Sequence, residues 1–549
     1  MNWWLPWRAE YPPGAWRDDL LAGLMVTVLI VPQSLAYALL AGLPPYTGLI
    51  ASVLPAVCYG FLGRSSVLAV GPVAVTSLMT FTALSPLAAP ATAAWAQYAM
   101  WLALLSGVLL MLLGLLRFGF LSRLLSFPVL SGFSTAAALL IVNSQWRSAL
   151  GFSDAGWHVP TAILGLMTVL ILWGGKQLLS PWHWGKVTVL LLPVAWLGVV
   201  TLALWLWAPI ASGIATVGVI EQHIAYPTWV WPGWTVLQSL LPSAAMIALM
   251  SMVASLAVAK SLGRTRGETP DANAELRGLG MANLASAASG SFPVAGGFSR
   301  SAVYAQTGAR SPLAGMVSGL CMLLVILFFT PALKYLPVAV LSAAVMVAAL
   351  SLLDWRTLLH SWRYDRADAS AWLMTAGTVL VLGLEAGIVV GIVFSLGAFL
   401  WRASQPHVAV VGRVPHSTGF RNIKRHAVET RPGLLMLRID ESLFFGNIEQ
   451  VRELVHEAVR QHAAQRVVLW MTAVNAIDET ALEGLGDLAQ ELQQQHIRLE
   501  LAEVKGPVQD RLSRVQGLSA VKIWFTAHEA YEGKATESME AKKQASITG

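Results

Sequence analysis

Apolar stretches of helical length recur between residues 20 and 402, near 20–41, 46–63, 95–116, 122–142, 161–174, 187–207, 238–260, 276–290, 312–330, 335–353, 369–384 and 386–402. A helix that crosses a bilayer needs about 20 mostly apolar residues. In hydrocarbon every backbone N–H and C=O must be paired internally, so a chain built this way folds as a bundle of helices. Composition agrees, with 56% hydrophobic and only 12% charged residues, against roughly 25% charged in soluble domains. The start, "MNWWLPWRAEYPPGAWRDDLLAG", has no basic region ahead of an apolar core, so no cleavable signal peptide is expected. Residues 1–19 read as an interfacial lead-in, with tryptophans at headgroup level.

The net charge of +6 is a statement about topology and not about nucleic acid. If the N-terminus is cytoplasmic and the spans alternate, the basic residues up to Arg402 fall inside, apart from Arg300 at the second break and Arg147 and Lys334 outside. This is the positive-inside bias, and it places both termini in the cytoplasm of a multi-pass protein of the inner or plasma membrane. The 2 cysteines, Cys58 and Cys321, lie in apolar spans. That argues against a disulfide framework or zinc site, and no metal or cofactor is expected. After Arg402 soluble periodicities appear. "GLLMLRI", "RVVLWMTAV" and "IRLELAEV" read as strands, alternating with amphipathic helices in "NIEQVRELVHEAVRQHAA" and "ETALEGLGDLAQELQQQH". The pattern is that of a small, mostly parallel α/β domain. The divisions are 1–19, a membrane domain 20–402, the α/β domain 405–532 and a polar, disordered tail 533–549.

Two further apolar pieces are short and broken at their starts: "GPVAVTSLMTF" from Gly71 and "GGFSRSAVYA" from Gly296. They bring the total to about fourteen segments, two of them half-helices. Pro72 suits a first helical turn, Gly296 and Gly297 suit a tight turn, and Ser299 suits an N-cap. A pair of Gly/Pro-interrupted segments at corresponding places in two halves points to a transporter's substrate site. The order of features agrees: span 20–41 precedes the first break as 238–260 precedes the second, and 126–139 echoes 336–350. Arg300 adds a charge whose insertion cost is at least about 2.5–3.5 kcal/mol. Each helix N-terminus carries roughly half a positive charge. Two of them facing each other, with Arg300, sum to about +2 and suit an anion, a divalent one included. The competing reading is that the glycines serve close packing and Arg300 snorkels.

At these residues the sequence resembles the sulfate permease family. The likeness runs through "DLLAGLMVTVLIVPQSLAYALLAGLPPYTGLIASVLPAVCYGFLGRSSVLAVGPVAVTSL" and "DANAELRGLGMANLASAASGSFPVAGGFSRSAVYAQTGARSPLAG". "DESLFFGNIEQV" and "LWMTAVNAIDETALEGL" resemble the STAS domain that such transporters carry. The resemblance implies an α-helical polytopic fold of two inverted seven-segment repeats, divided into core and gate. It implies an anion between the third and tenth segments, contacted by Val73, Ala74, Phe298, Ser299 and Arg300, with Gln33 facing it from the first. It also implies a homodimer. One departure stands out: many ion-coupled relatives carry an eighth-segment carboxylate, and the matching residue here is Ala254. Proton or sodium coupling is thereby put in doubt, and exchange or uncoupled conduction gains.

Other positions carry weaker readings. Thr76, Ser77 and Ser301 either line the cavity or serve packing. Gly387 and Gly391 form a GxxxG, read as close packing. In "GRTRGETPDANAELRG", Asp271 and Asn273 read as helix caps and Glu275 as a first-turn acid, not as a metal site. "GLGMAN" is no dinucleotide fingerprint, since no strand precedes it. Thr480 matches a position that is phosphorylated in related regulatory domains, against the plainer reading of a helix start capped by Asp478. The leading function is secondary transport of a small inorganic anion, sulfate first, by alternating access. The alternatives are a bicarbonate, chloride or dicarboxylate exchanger, an anion channel, or a sensor of anion occupancy. No nucleophile–base pair or nucleotide loop supports an enzyme.

Overall fold

The computed structural model describes residues 5–534 apart from 124–125, 154–155, 180–184, 207–212, 219–228, 265, 334, 515–517 and 519–520. The expected tail therefore lies outside the described residues from 535 onward. The chain separates into two compact units, 1–395 and 396–549.

The first half of the membrane unit comprises α1 (Trp16–Leu40), α2 (Pro45–Ile50), α3 (Leu54–Leu62), β1 (Val70–Gly71), α4 (Ala74–Leu84) and α5 (Ala93–Leu115). It continues through α6 (Phe127–Ala149), the short hairpin β2 (Phe152–Ser153) and β3 (Gly156–Trp157), α7 (Val159–Leu179) and α8 (Gly185–Leu206). The second half comprises α9 (Trp234–Arg264), α10 (Ala272–Ala288), β4 (Ala295–Gly296), α11 (Phe298–Thr307) and α12 (Leu313–Leu333). It ends with α13 (Val338–Leu350), α14 (Trp355–Tyr364), α15 (Arg366–Leu382) and α16 (Leu384–Ala403).

Packing follows a repeat. α1 lies on α12 and α9 on α5; α3 lies on α12 and α10 on α5. Likewise α6 lies on α15 and α13 on α7, while α1 meets α11 and α9 meets α4. Each contact is the image of its partner when the two halves are exchanged in order, which is the two-fold relation of inverted repeats. Most contacts sort into a core of α1–α5 with α9–α12 and a gate of α6–α8 with α13–α16. α1 reaches across to α8 and α13, and α4 to α6. Within the gate, a Cβ on Gly391 would stand 2.3 Å from Thr375 Oγ1 and 2.8 Å from Val129 Cγ1. That glycine keeps α16 close to α15 and α6, so the GxxxG packs within one chain.

Asp271 caps α10 by accepting from the Asn273 and Ala274 amides at 3.0 and 3.3 Å. Asn273 does not share that role: its Oδ1 accepts from the Gly119 amide at 2.9 Å. Glu275 lies in the first turn, as expected. It is fully buried and accepts from the Tyr59 hydroxyl and the amides of Arg64 and Ser65. Packing against α3 makes this first-turn acid an internal tie between α10 and the end of α3.

The second unit holds one six-stranded sheet in the order β10-β9-β8-β7-β5-β6. Its elements are β5 (Val408–Arg413), β6 (Phe420–Asn422), β7 (Leu434–Ile439), α17 (Ile448–His462) and β8 (Arg466–Trp470). They continue with α18 (Glu479–Gln494), β9 (Arg498–Ala502), α19 (Gly506–Leu512), β10 (Lys522–Trp524) and α20 (Ala527–Glu532). β7 to β10 are parallel, and β5 and β6 add an antiparallel edge. Side chains alternate across a strand. Leu435, Leu437 and Ile439 therefore face α17 and α18, while Met436 and Val468 face Trp524 and Tyr531.

Candidate functional site

The two broken segments meet. β1 and β4 pair antiparallel, Val70 opposite Gly296 and Gly71 opposite Ala295. The Gly297 amide adds a bond to the Ala69 carbonyl at 3.0 Å. So short a ribbon leaves backbone groups over, and buried side chains take them. Ser255 Oγ accepts from the Gly296 amide at 2.9 Å, and Ser301 Oγ from the Ala69 amide at 2.9 Å. Asn283 brackets Val294, accepting from its amide and donating to its carbonyl, both at 2.9 Å. Irregular backbone at membrane depth is tolerable when protein satisfies it in this way. Of these three supports the sequence offered only Ser301, as a residue that either lines the cavity or serves packing; Ser255 and Asn283 were missed, because a lone Ser or Asn in an apolar helix has no local signature. Ser301 is thus a support for the strand pair, and Thr76 is buried with its hydroxyl on the Val73 carbonyl at 3.1 Å.

From that ribbon α4 and α11 depart. Their N-caps are Val73 and Gly297, both extended, and neither carries a side-chain cap. Ser299 is therefore not the cap; it sits inside the first turn, exposed. Pro72 precedes the cap and offers its carbonyl to Arg300. The first helical bonds are Ser77 N–H to Val73 O and Ser301 N–H to Gly297 O, each 3.0 Å. The amides of residues 74–76 and 298–300 precede those bonds, and such first-turn donors have no acceptor within their own helix.

Gly296 and Gly297 are absent from the glycines with positive φ, and Gly297 has φ −96°. They are there for space, not for a tight turn. A Cβ on Gly297 would lie 2.8 Å from Arg300 Nε, and one on Gly71 would lie 2.5 Å from Arg300 Nη1. The glycines form a slot for a guanidinium that is 2% exposed. Arg300 does not snorkel: Nη2 donates to the Pro72 carbonyl, while Nη1 has no hydrogen-bond partner. Phe298 is 54% exposed, Val73 and Gln33 are half-buried, and the Gln33 amide oxygen has no partner. The sequence candidates therefore divide. Phe298 and Ser299 are open, Val73 and Gln33 border them in exposure, Ala74 is buried, and Arg300 is enclosed beside the strand pair. Ser77 is buried with an unpartnered hydroxyl, and Ala254 is half-buried one residue before Ser255.

The far end of α11 is also held. Arg266 donates to the carbonyls of Tyr304 at 3.2 Å, Ala305 at 2.7 Å and Ala309. A cation at a helix C-terminus complements the macrodipole. Asp19, fully buried, accepts from Ser311 Oγ at 2.8 Å and from the Arg310 amide at 2.6 Å. In the second unit Asp478 caps α18 through the Ala481 amide at 2.9 Å, and Thr480 is exposed in the first turn. Among the described residues no group of three or more His, Cys, Asp or Glu could hold a metal ion.

Interlocked repeats, each giving one broken helix to a shared protein-enclosed centre, define a multi-pass membrane transporter. The sequence profile of the sulfate permease family matches residues 16–375, and that of the STAS domain matches 425–530. The chain belongs to the sulfate permease family, and is an anion transporter and not an enzyme. It is 34% identical to sulfate transporter 4.1, chloroplastic, of Arabidopsis thaliana over 551 residues, 94% of this chain and 79% of that protein. The fold is shared with the solved murine Solute Carrier 26 family member A9 anion transporter in its inward-facing state. That match has 22% identity and TM-score 0.85, over 96% of this chain and 92% of that one. It is shared also with the transmembrane domain of the cyanobacterial bicarbonate transporter BicA, at 20% identity and TM-score 0.60, over 70% and 99% of the two chains.

Proposed function

We propose that this protein carries sulfate across the membrane by alternating access, the core moving against the gate. The anion sits at the starts of α4 and α11, near Gln33, Val73, Ala74, Phe298 and Ser299. Arg300 supplies positive charge from behind. The observation that carries this reading is the pair of uncapped helix N-termini on one strand ribbon, with the buried Arg300 between their cap segments. Free first-turn amides and two dipole ends recognise an oxyanion. A sulfate transporter among the relatives supports the choice of dianion. The protein acts as a homodimer in the inner or plasma membrane, with both termini cytoplasmic. The membrane domain spans 20–402, and the STAS domain, 405–532, is regulatory, Thr480 being its candidate modification site.

Ala254 favours exchange, because α9 offers no acid there to carry a proton or hold Na⁺. The test is labelled sulfate uptake into proteoliposomes, with a proton gradient, a sodium gradient or internal anion imposed in turn. Uptake requiring internal anion is expected. Uptake driven by a cation gradient alone overturns exchange. No sulfate uptake under any condition overturns the substrate and turns attention to bicarbonate, chloride and dicarboxylates. Introducing Ala254→Glu is expected to add pH dependence to the flux.

A further inference from the structure

Between α13 and α15 the sequence "WRTLLHSWRYDR" (355–366) mixes large apolar and basic residues, a pattern unfit for crossing hydrocarbon. Most of it folds as α14. The helix is fastened to the gate at its start. Asp354 accepts from the Thr357 amide at 3.1 Å and from Ser131 Oγ of α6 at 2.9 Å. Ser131 in turn accepts from Trp372 Nε1 of α15 at 3.1 Å, and the Asp354 amide donates to Thr135 of α6 at 3.1 Å. Leu358 and Ser361 turn inward.

The opposite side is mostly open, although the Trp355 ring meets that of Trp372 of α15 at 5.6 Å. Trp355, Leu359 and Trp362, spaced i, i+4 and i+7 on one helical face, are 48%, 64% and 57% exposed. Arg356, Arg363 and Arg366 are exposed as well, as is His360, whose ring stacks on Tyr364 at 6.2 Å. Arg363 and Arg366 make no hydrogen bond or ion pair with another described residue. Of the neighbouring acids, Asp354 caps α14 and Asp365 caps α15 through the Ala367 amide at 2.8 Å. The cations are left facing out. A short helix with an aromatic and leucine face flanked by arginines is the composition that beds at a lipid headgroup boundary. Clustered arginines beside such a face select negative headgroups.

We infer that α14 lies in the interfacial layer of the bilayer and binds anionic phospholipid headgroups through Arg356, Arg363 and Arg366, so fastening the gate to one leaflet. A fixed gate leaves the motion to the core, which carries both half-helices.

The test uses the full chain and does not depend on the transported anion. With Cys58 and Cys321 replaced by serine, a spin label is placed at Leu359→Cys in phosphatidylcholine–phosphatidylglycerol vesicles. Collision with lipid-soluble oxygen and with an aqueous nickel chelate reports its depth. The label is expected to meet oxygen more than nickel. A label shielded from both, as under a second copy or another protein, overturns the inference, and so does one open mainly to nickel. In parallel, association of spin-labelled phosphatidylglycerol is compared with that of phosphatidylcholine. The preference is expected for the natural chain, to fall at least severalfold in Arg356→Gln/Arg363→Gln/Arg366→Gln, and to weaken with salt. An unchanged preference in that variant, shown to be monodisperse, overturns it.

Discussion

Gly71→Ala tests the slot around Arg300 most directly. The added methyl would stand 2.5 Å from Nη1, roughly 1 Å inside ordinary contact. Gly71 has no positive φ, so alanine suits the backbone and the effect is confined to space. The guanidinium is 2% exposed and cannot swing into solvent. It is also closed off by Gly297, where a Cβ would lie 2.8 Å from Nε. It must therefore give up the Pro72 carbonyl. A hydrogen bond from a charged donor is worth about 1.5–3 kcal/mol. If that loss falls on the anion-bound state, sulfate affinity drops about 10- to 100-fold, at about 1.4 kcal/mol per tenfold. The diagnostic is a double-mutant cycle with Arg300→Ala. Arg300→Ala alone is expected to lower sulfate affinity strongly while the protein still folds. Once the guanidinium is gone, Gly71→Ala has nothing to displace and is expected to add almost nothing. Binding is measured on purified protein, with thermal stability recorded for all four chains. Additive effects on both affinity and stability would refute the slot.

Two other outcomes follow from the structure. Ser301→Ala leaves the buried Ala69 amide without its acceptor, which costs about 1–3 kcal/mol. Its melting temperature is expected to fall, while Ser301→Thr retains part of the loss. In the second unit, burial raises the Asp440 carboxyl, but hydrogen bonds from Arg438 and His407 outweigh it and hold the group below its usual value of 3.8. A depressed folded pKa contributes stability that is complete above the unfolded value and fades as pH falls through the folded one. Asp440→Asn is therefore expected to be less stable than the natural chain near neutrality, with the gap closing below about pH 4. Hydrogen exchange at β7 across that range reads it, and a gap independent of pH counts against the ion pair.

Much of this architecture was legible because it follows from solvent. Lipid forces long apolar helices, so spans such as 20–41 and 238–260 announce themselves, and short apolar runs mark the buried strands β7 and β8 in the second unit. The breaks at Gly71 and Gly296 were legible too, since glycine and proline interrupt helices whatever surrounds them. The antiparallel edge β5–β6 was harder to see, being short and mixed in character. Assignments that depended on neighbours went astray. Ser299 has the chemistry of a cap, but the ribbon fixes the helix start two residues too early for it to serve. Gly297 has the freedom for a turn and is used instead for room. Asn273 also has the chemistry of a cap, but its Oδ1 is taken by the Gly119 amide.

The sequence by itself determined where helices run, where two of them break, and that a positive charge lies beside one break. Those features depend on composition and local backbone preference, which every short window of the chain carries. Only the tertiary structure decided that the two breaks pair through Val70–Gly71 and Ala295–Gly296. It also decided that Ser255, Asn283 and Ser301 satisfy them, and that Arg300 is enclosed and not open. The strand pair, the Ser301 contact and the Arg300 contact join residues more than 200 positions apart, such as Pro72 and Arg300. Hydrogen bonding and packing across such separations are set by the meeting of two repeats, and no local pattern records them.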